Sequence, residues 1–326
     1  MKPSNDSYPG HNQEHVPTAL KSIFIAIYVI LIIAAIFGNS LVIRAFYKFP
    51  SLRSASNTIL VSLSVADIFT TVGTILYIAN IIVGKRRPPL RMLCNVASKI
   101  SLTFNCIIIL HLALISVERF IAVKFALRYH TIVTNRRAVI ASTVVWLWGI
   151  AVSWIFPQAI KAEGHETFRE FIQALAPCAD RRNKPYSLPS ASVRGYLIFL
   201  VISLLVVPIV IILVSYSYIF TISCRQRRQI LEEDNVHRKL DMKREMKGAR
   251  TVAIVVGICL VSFVPLLVVL CLRFLTSTSI GRKQMYPVYL VASLNACWNP
   301  LIYCWRNENF RKSFKKLMKC NSSAGD

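Results

Sequence analysis

The sequence predicts an all-α membrane protein: a seven-transmembrane helix bundle with a short amphipathic inner-leaflet helix after the seventh. Three observations carry this. Apolar residues gather in seven runs, at 22–46, 57–83, 95–124, 138–160, 194–224, 249–275 and 286–305, each at least the roughly 20 residues that span the hydrocarbon layer as a helix. Hydrophobic residues make up 55% of the 326 positions and charged residues 17%, and the apolar ones come in these long runs rather than in the short pieces of a soluble core. Short loops join most of the runs, so residues 1–21 read as an outer tail, 22–305 as one bundle and 306–326 as an amphipathic helix and tail.

Orientation follows from charge. Most of the 39 Lys and Arg residues fall in 44–56, 119–137, 225–250 and 306–326, which puts the N-terminus outside and the C-terminus in the cytoplasm of a plasma-membrane protein. The net charge of +24 is divided between two faces of a bilayer, which argues against nucleic acid as a partner. Its inner share suits membrane lipids with anionic head groups and an acidic cytoplasmic partner. Of nine cysteines, most sit inside apolar runs as small hydrophobic side chains. Cys94 and Cys178 instead fall on the oxidising side, where they can pair. Residues 1–21 hold no apolar core, so no signal peptide is expected.

In chain order, Asn5-Asp6-Ser7 in the outer tail is an N-glycosylation acceptor pattern at Asn5. Run one holds Gly38-Asn39-Ser40: a glycine admits a neighbouring helix, and the asparagine needs a partner that lipid cannot supply. Run two carries Asp67 near its middle, a carboxylate that is expensive at that depth unless paired, protonated or hydrated. Run three holds Lys99, Ser101, Thr103, Asn105 and His111, and ends in Glu118-Arg119-Phe120. Ser101 and Asn105, four apart, share a helix face, while Lys99 either snorkels or projects into the mouth. Run four brings Trp146, expected to pack between helices. Run five has Pro208, which removes a backbone donor and permits a bend, then Tyr216. Glu245, just before run six, lies on the same side of the membrane as Arg119; if Arg119 reaches it, the pair is an inner clamp, a two-position contact of the kind a switch needs. Run six offers Phe263 beside Pro265 as a packing pivot. In run seven, Asn299 is expected to bond into the gap that Pro300 leaves in the backbone ladder, with Tyr303 one turn on. Phe310, Phe314 and Leu317 then share one face among bases, as a helix lying on the inner leaflet, and Cys320 is a candidate for palmitoylation.

These landmarks, in this order, resemble the rhodopsin-like (class A) G-protein-coupled receptors over about residues 22–320. Gly38-Asn39 is similar to the family's first-helix motif, Leu63 to Asp67 to the second, Cys94 with Cys178 to the extracellular disulfide, and Glu118-Arg119-Phe120 to the Asp/Glu-Arg-Tyr motif. Trp146, Pro208, Tyr216, Pro265 and Asn299-Pro300-Leu301-Ile302-Tyr303 complete the match. The resemblance implies a receptor and no enzyme. An extracellular ligand would favour outward motion of helix six, exposing a cleft for a heterotrimeric G protein by population shift. A receptor kinase and arrestin are further implied partners. Arg119 would be the arginine freed on activation, Glu245 its resting partner, and Tyr216 and Tyr303 the tyrosines that approach it. No organic cofactor is implied. An allosteric sodium ion would draw on Asp67, Asn295 and Asn299, although Ile108 and Ala296 stand where serines are usual, and Phe263 stands where the family's sixth-helix tryptophan is usual.

The ligand is read from what is missing. Ser101 stands where amine receptors carry an aspartate, and Ser293 where opsins carry the retinal lysine. The outer segments are rich in bases, among them Lys85, Arg86, Arg87, Arg91, Lys99, Arg181, Arg182, Lys184, Arg194, Arg273, Arg282 and Lys283. Such a mouth steers an anionic small molecule or peptide, with Lys99, Ser101, Thr103, Asn105, Arg273 and Ser293 as candidate contacts. The alternative is an uncharged small molecule such as a nucleoside, indole or lipid. Outside the class, a seven-helix transporter would call for repeated halves, and the sequence has no repeat. A membrane enzyme would call for clustered His, Asp or Glu, whereas His111 and Asp67 stand apart.

Overall fold

The computed structural model describes residues 17–83, 88–156, 191–230, 254, 257–258, 261–266, 268–269, 282–306 and 308–322. Helix α1 spans Thr18–Lys48 and, after a 3-10 turn at Pro50–Leu52, α2 spans Ala55–Val83. Helix α3 spans Pro88–Lys124 and is followed by a 3-10 turn at Ala126–Arg128 and a single helical turn at Tyr129–Ile132. Helix α4, Asn135–Ile150, runs on into a π turn at Ala151–Ile155. Helix α5 is built from Ala191–Val201, a π turn at Ile202–Val206, and Val207–Ile230. The described residues between 254 and 269, all helical, form α6. Helix α7 comes in two halves, Arg282–Ser293 and Asn295–Arg306, and α8 spans Glu308–Ser322.

Five of these elements, among the described residues, are long and apolar enough to cross a membrane. Helix α3 starts earlier than its apolar run because Pro88-Pro89 supply the fixed φ that opens a helix. It is central: half of its spanning stretch is buried, against 11% for α1. Ile107, Ile108, Leu112 and Ile115 of α3 pack with Ile59, Leu60 and Leu63 of α2, Ile212 of α5, Phe263 of α6 and Ile302 of α7. Lipid is as apolar as leucine, so close packing and polar contacts between helices hold such a bundle together. Gly149 of α4 illustrates this, since a Cβ there would come within 2.5 Å of Ile107 Cγ1. Gly38 likewise seats the Pro300 ring, whose Cγ would lie 2.6 Å from an added Cβ.

Two helix irregularities are completed by neighbours. In the π turn of α4, the Phe156 N–H reaches back to the Ala151 carbonyl; the next bond of that register would require an N–H from Pro157, which has none. The Tyr196 hydroxyl of α5 donates to the Val152 carbonyl instead, at 2.7 Å. In α7, Pro300 cannot serve the Ala296 carbonyl, and Asn39 Nδ2 of α1 does so at 2.9 Å. This corrects the expectation that Asn299 fills that gap, because Asn299 faces α2.

Helix α8 keeps the expected single apolar face, and Phe310, Phe314 and Leu317 are buried in the protein core with Val42, Ala45 and Leu52. The apolar stripe docks on the end of the bundle, and Arg311, Lys312, Lys315 and Lys316 remain exposed.

Candidate functional site

Functional side chains fall at three levels along α3. At the Ser101 end, a cavity of about 60 Å³ opens between α1, α2, α3, α6 and α7, with room for about four waters or the matching part of a ligand. Ser98, Ser101 and Asn105 line it from α3, with Thr70, Gly73, Thr74 and Tyr77 from α2. Tyr28, Leu266, Tyr289, Ala292 and Ser293 complete the wall. The structure therefore brings together Ser101, Asn105 and Ser293. It does not bring in Lys99 and Thr103. Thr103 is buried and accepts the Trp154 indole N–H at 2.9 Å, while the Lys99 ammonium lies 4.9 Å from the centre of the Trp154 ring. Both serve the α3–α4 contact.

At mid-depth, Asp67 is fully buried and its Oδ2 accepts from Asn299 Nδ2 at 2.7 Å. Asp67 Oδ1, Asn299 Oδ1 and Asn295 Nδ2 are buried without a hydrogen-bond partner. Hard cations gather about six oxygens. The buried side chain of Ile108 and the methyl of Ala296 put carbon at two positions where the resemblance calls for hydroxyls. The orphaned atoms, two acceptors and one donor, complement a water molecule better than a cation, so this set does not fit a sodium ion. Among the described residues there is also no group of three or more His, Cys, Asp or Glu able to hold a metal.

Beside this level, Trp146 Nε1–H donates to Ser62 Oγ at 2.9 Å, and Ser62 Oγ lies 2.8 Å from His111 Nε2. His111 Nδ1 lies 2.9 Å from the Ile107 carbonyl, which can only accept. The proton therefore sits on Nδ1, and Ser62 O–H donates to Nε2. One hydroxyl ties α2, α3 and α4 together with every polar atom of the chain engaged.

At the Arg119 end, neighbouring side chains on α3 pair. Arg119 Nε and Nη2 each donate to the Glu118 carboxylate at 2.6 Å, and Nη2 also donates to Ser56 Oγ of α2 at 2.8 Å. The Tyr129 hydroxyl donates to the same carboxylate. Glu118 is 3% exposed, so its charge is compensated inside the protein. Phe120 stacks at a tilt on Tyr218 of α5, 4.8 Å between centroids. The Lys124 ammonium lies 5.2 to 5.5 Å from the Phe120, Phe125 and Tyr218 ring centres. Tyr216 packs against the main core, to which Phe263 belongs, and Pro265 follows Phe263 on α6. Beyond them, Leu127 stands fully exposed on the turn after α3.

Cys94 lies in α3, Pro300 and Tyr303 in the second half of α7, and Cys320 in the last turns of α8. Asn5, Cys178, Glu245 and Arg273 lie outside the described residues. Sequence reasoning missed Ser56 and Tyr129, which are ordinary residues by type and spacing. It also missed Gly73, for which a glycine inside an apolar run was a usable signal of close approach.

The profile of the 7 transmembrane receptor (rhodopsin family) matches residues 38–303. The octopamine receptor beta-1R of Drosophila melanogaster is 25% identical over 92% of this chain and 62% of its own length, so the chain spans less than two thirds of that relative. The adenosine receptor A2b of Gallus gallus is 26% identical over 92% of this chain and 89% of its own. The alpha-1A adrenergic receptor of Homo sapiens is 26% identical over 89% and 66%.

Proposed function

Because the chain belongs to the rhodopsin family of seven-transmembrane receptors, we propose that it senses a small extracellular molecule at the Ser101 end and activates heterotrimeric G proteins at the Arg119 end. It is a multi-pass membrane receptor, and membership of a receptor family argues against an enzyme. One observation carries the proposal: α3 lines the cavity with Ser101 and Asn105 and also bears the Glu118–Arg119 cluster. The two lie about 27 Å apart along the helix at 1.5 Å per residue. A ligand that shifts α3 against its neighbours thereby biases the cluster. The bias of basic residues supports an outer N-terminus and an inner Arg119 end.

In this reading Arg119 exchanges the Glu118 carboxylate for contacts with Tyr216 and Tyr303 as α6 moves below Pro265, and Glu245 is a second resting partner. A Cys94–Cys178 disulfide, a glycan on Asn5 and a lipid on Cys320 accompany it, and receptor kinase and arrestin act on the active form. Leu127, fully exposed on the aqueous side, is the apolar contact offered to the G protein.

Relatives named for octopamine, adrenergic ligands and adenosine support a small organic ligand. The cavity favours an uncharged one. Among the described residues its lining has no carboxylate for an ammonium and no Lys or Arg for an anion, and an unpaired buried charge is costly. The anionic reading keeps one supporting observation, the bases of the outer segments including Arg273, which would hold a charge at the mouth.

The test is nucleotide exchange on each class of heterotrimeric G protein, using membranes that hold the full chain. Ligand-free exchange above that of blank membranes is expected with at least one class, and Leu127→Ser should lower it about fivefold at equal receptor density, equivalent to about 1 kcal/mol. Absence of exchange with every class would remove the G-protein reading.

A further inference from the structure

The hydroxyls around the cavity do not all offer the same thing. Thr70 Oγ1 donates its proton to the Ala66 carbonyl at 3.0 Å, Thr74 Oγ1 to the Thr70 carbonyl at 3.4 Å, and Ser293 Oγ to the Tyr289 carbonyl at 2.8 Å. With those protons committed to their own helices, all three present lone pairs to the cavity. Ser101 and Asn105, half-buried, have no hydrogen-bond partner among the described residues. Asn105 therefore holds out a carbonyl acceptor and an N–H donor side by side in one plane. Three tyrosines add an aromatic wall beside Ser98, Leu266 and Ala292: Tyr77 meets Tyr28 edge-on at 5.7 Å between centroids and Tyr289 at a tilt at 6.1 Å. Gly73 sets the width, because a Cβ there would come within 2.5 Å of Ser101 Oγ.

We infer that this cavity binds an uncharged planar ring carrying a hydrogen-bond donor and acceptor on adjacent atoms, the edge found in a lactam or a nucleobase. The inference rests on the receptor reading above and names the ligand chemistry of its site. The Asn105 amide pairs with that edge in two bonds, the geometry by which an amide side chain reads a base edge. Further N–H or O–H groups of the ring donate to Thr70, Thr74 and Ser293, and the tyrosine rings flank its faces. An anion would meet the lone pairs of Thr70, Thr74 and Ser293, with no Lys or Arg among the described lining residues to balance its charge. An ammonium would find acceptors but no countercharge among the described residues, since Asp67, about one turn from Thr70 along α2, is fully buried and engaged by Asn299.

The experiment measures the thermal midpoint of the purified full chain in detergent with four probes at millimolar concentration: 2-pyridone, adenine, phenethylamine and benzoate. Stabilisation by 2-pyridone or adenine is expected, with at least tenfold weaker binding in Asn105→Leu. Asn105→Asp, which sets a carboxylate in the cavity, should exchange the preference toward phenethylamine. The inference is overturned if phenethylamine or benzoate alone stabilises the wild type, if none of the four does, or if stabilisation by the neutral rings survives Asn105→Leu. None of these readouts uses a G protein, so their failure is distinct from a failure of the exchange assay.

Discussion

Glu118→Gln is expected to raise ligand-free nucleotide exchange about tenfold at matched receptor density. The carboxylate takes two hydrogen bonds from Arg119, one from Tyr129 and a longer one, 3.4 Å, from Ser56 Oγ, and hydrogen bonds to charged groups contribute about 1.5–3 kcal/mol each. Glutamine keeps one acceptor and loses the charge, so a net loss near 1.5 kcal/mol is a reasonable scale, and about 1.4 kcal/mol is a factor of ten in population. The pair joins neighbours on one helix, so it does not clamp α3 to anything by itself. Its effect is to aim the guanidinium at Ser56 of α2 and away from the position an incoming partner would use. Unchanged exchange in Glu118→Gln would sink this account. A rise seen with Glu245→Ala alone would move the restraint to a contact between α3 and the segment before α6.

Ser62→Ala should destabilise the fold more than the loss of one oxygen suggests. That oxygen accepts from Trp146 and donates to His111, so its removal orphans a donor on α4 and an acceptor on α3. Interhelical hydrogen bonds in membranes average only about 0.6 kcal/mol, whereas an orphaned buried group costs about 1–3 kcal/mol. Two losses then come to about 2 kcal/mol, or roughly 5 °C in the thermal midpoint. Adding His111→Leu removes the orphaned acceptor as well, and the double variant should recover part of the loss. A double variant worse than Ser62→Ala would show that His111 contributes through packing rather than through this bond.

The helices that cross the membrane were legible because length and hydropathy alone define them. Ser101 and Asn105 were also legible, since a spacing of four keeps two side chains on one face. Thr103 was assigned to the ligand against the same rule: two residues at 100° each turn it to the far side of α3, where Trp154 waits. Lys99, four before Thr103, follows it there. What the sequence could not supply were pairings between distant segments. Asn39 advertised a missing partner and Pro300 a missing donor, yet only the packing of α1 against α7 joins them. Tyr129 and Ser56 gather at Glu118 for the same kind of reason. The stripe of Phe310, Phe314 and Leu317 is legible as one face; its packing on Val42, Ala45 and Leu52 is not, because amphipathicity does not name the groove that receives it.

The seat that Gly38 makes for the Pro300 ring has an evolutionary consequence. With the proline in place, any side chain at 38 meets ring carbons at 2.6 and 2.9 Å, and overpacking of that kind costs about 1–3 kcal/mol. With glycine in place of the proline, both of those carbons are gone and the same methyl group meets open space. The two positions are therefore historically contingent on each other. Gly38→Ala should be harmful in the wild type and nearly silent in a Pro300→Gly background, a coupling that a double-mutant cycle on surface expression measures directly. A lineage that keeps the break in its last helix must keep the hydrogen atom on its first.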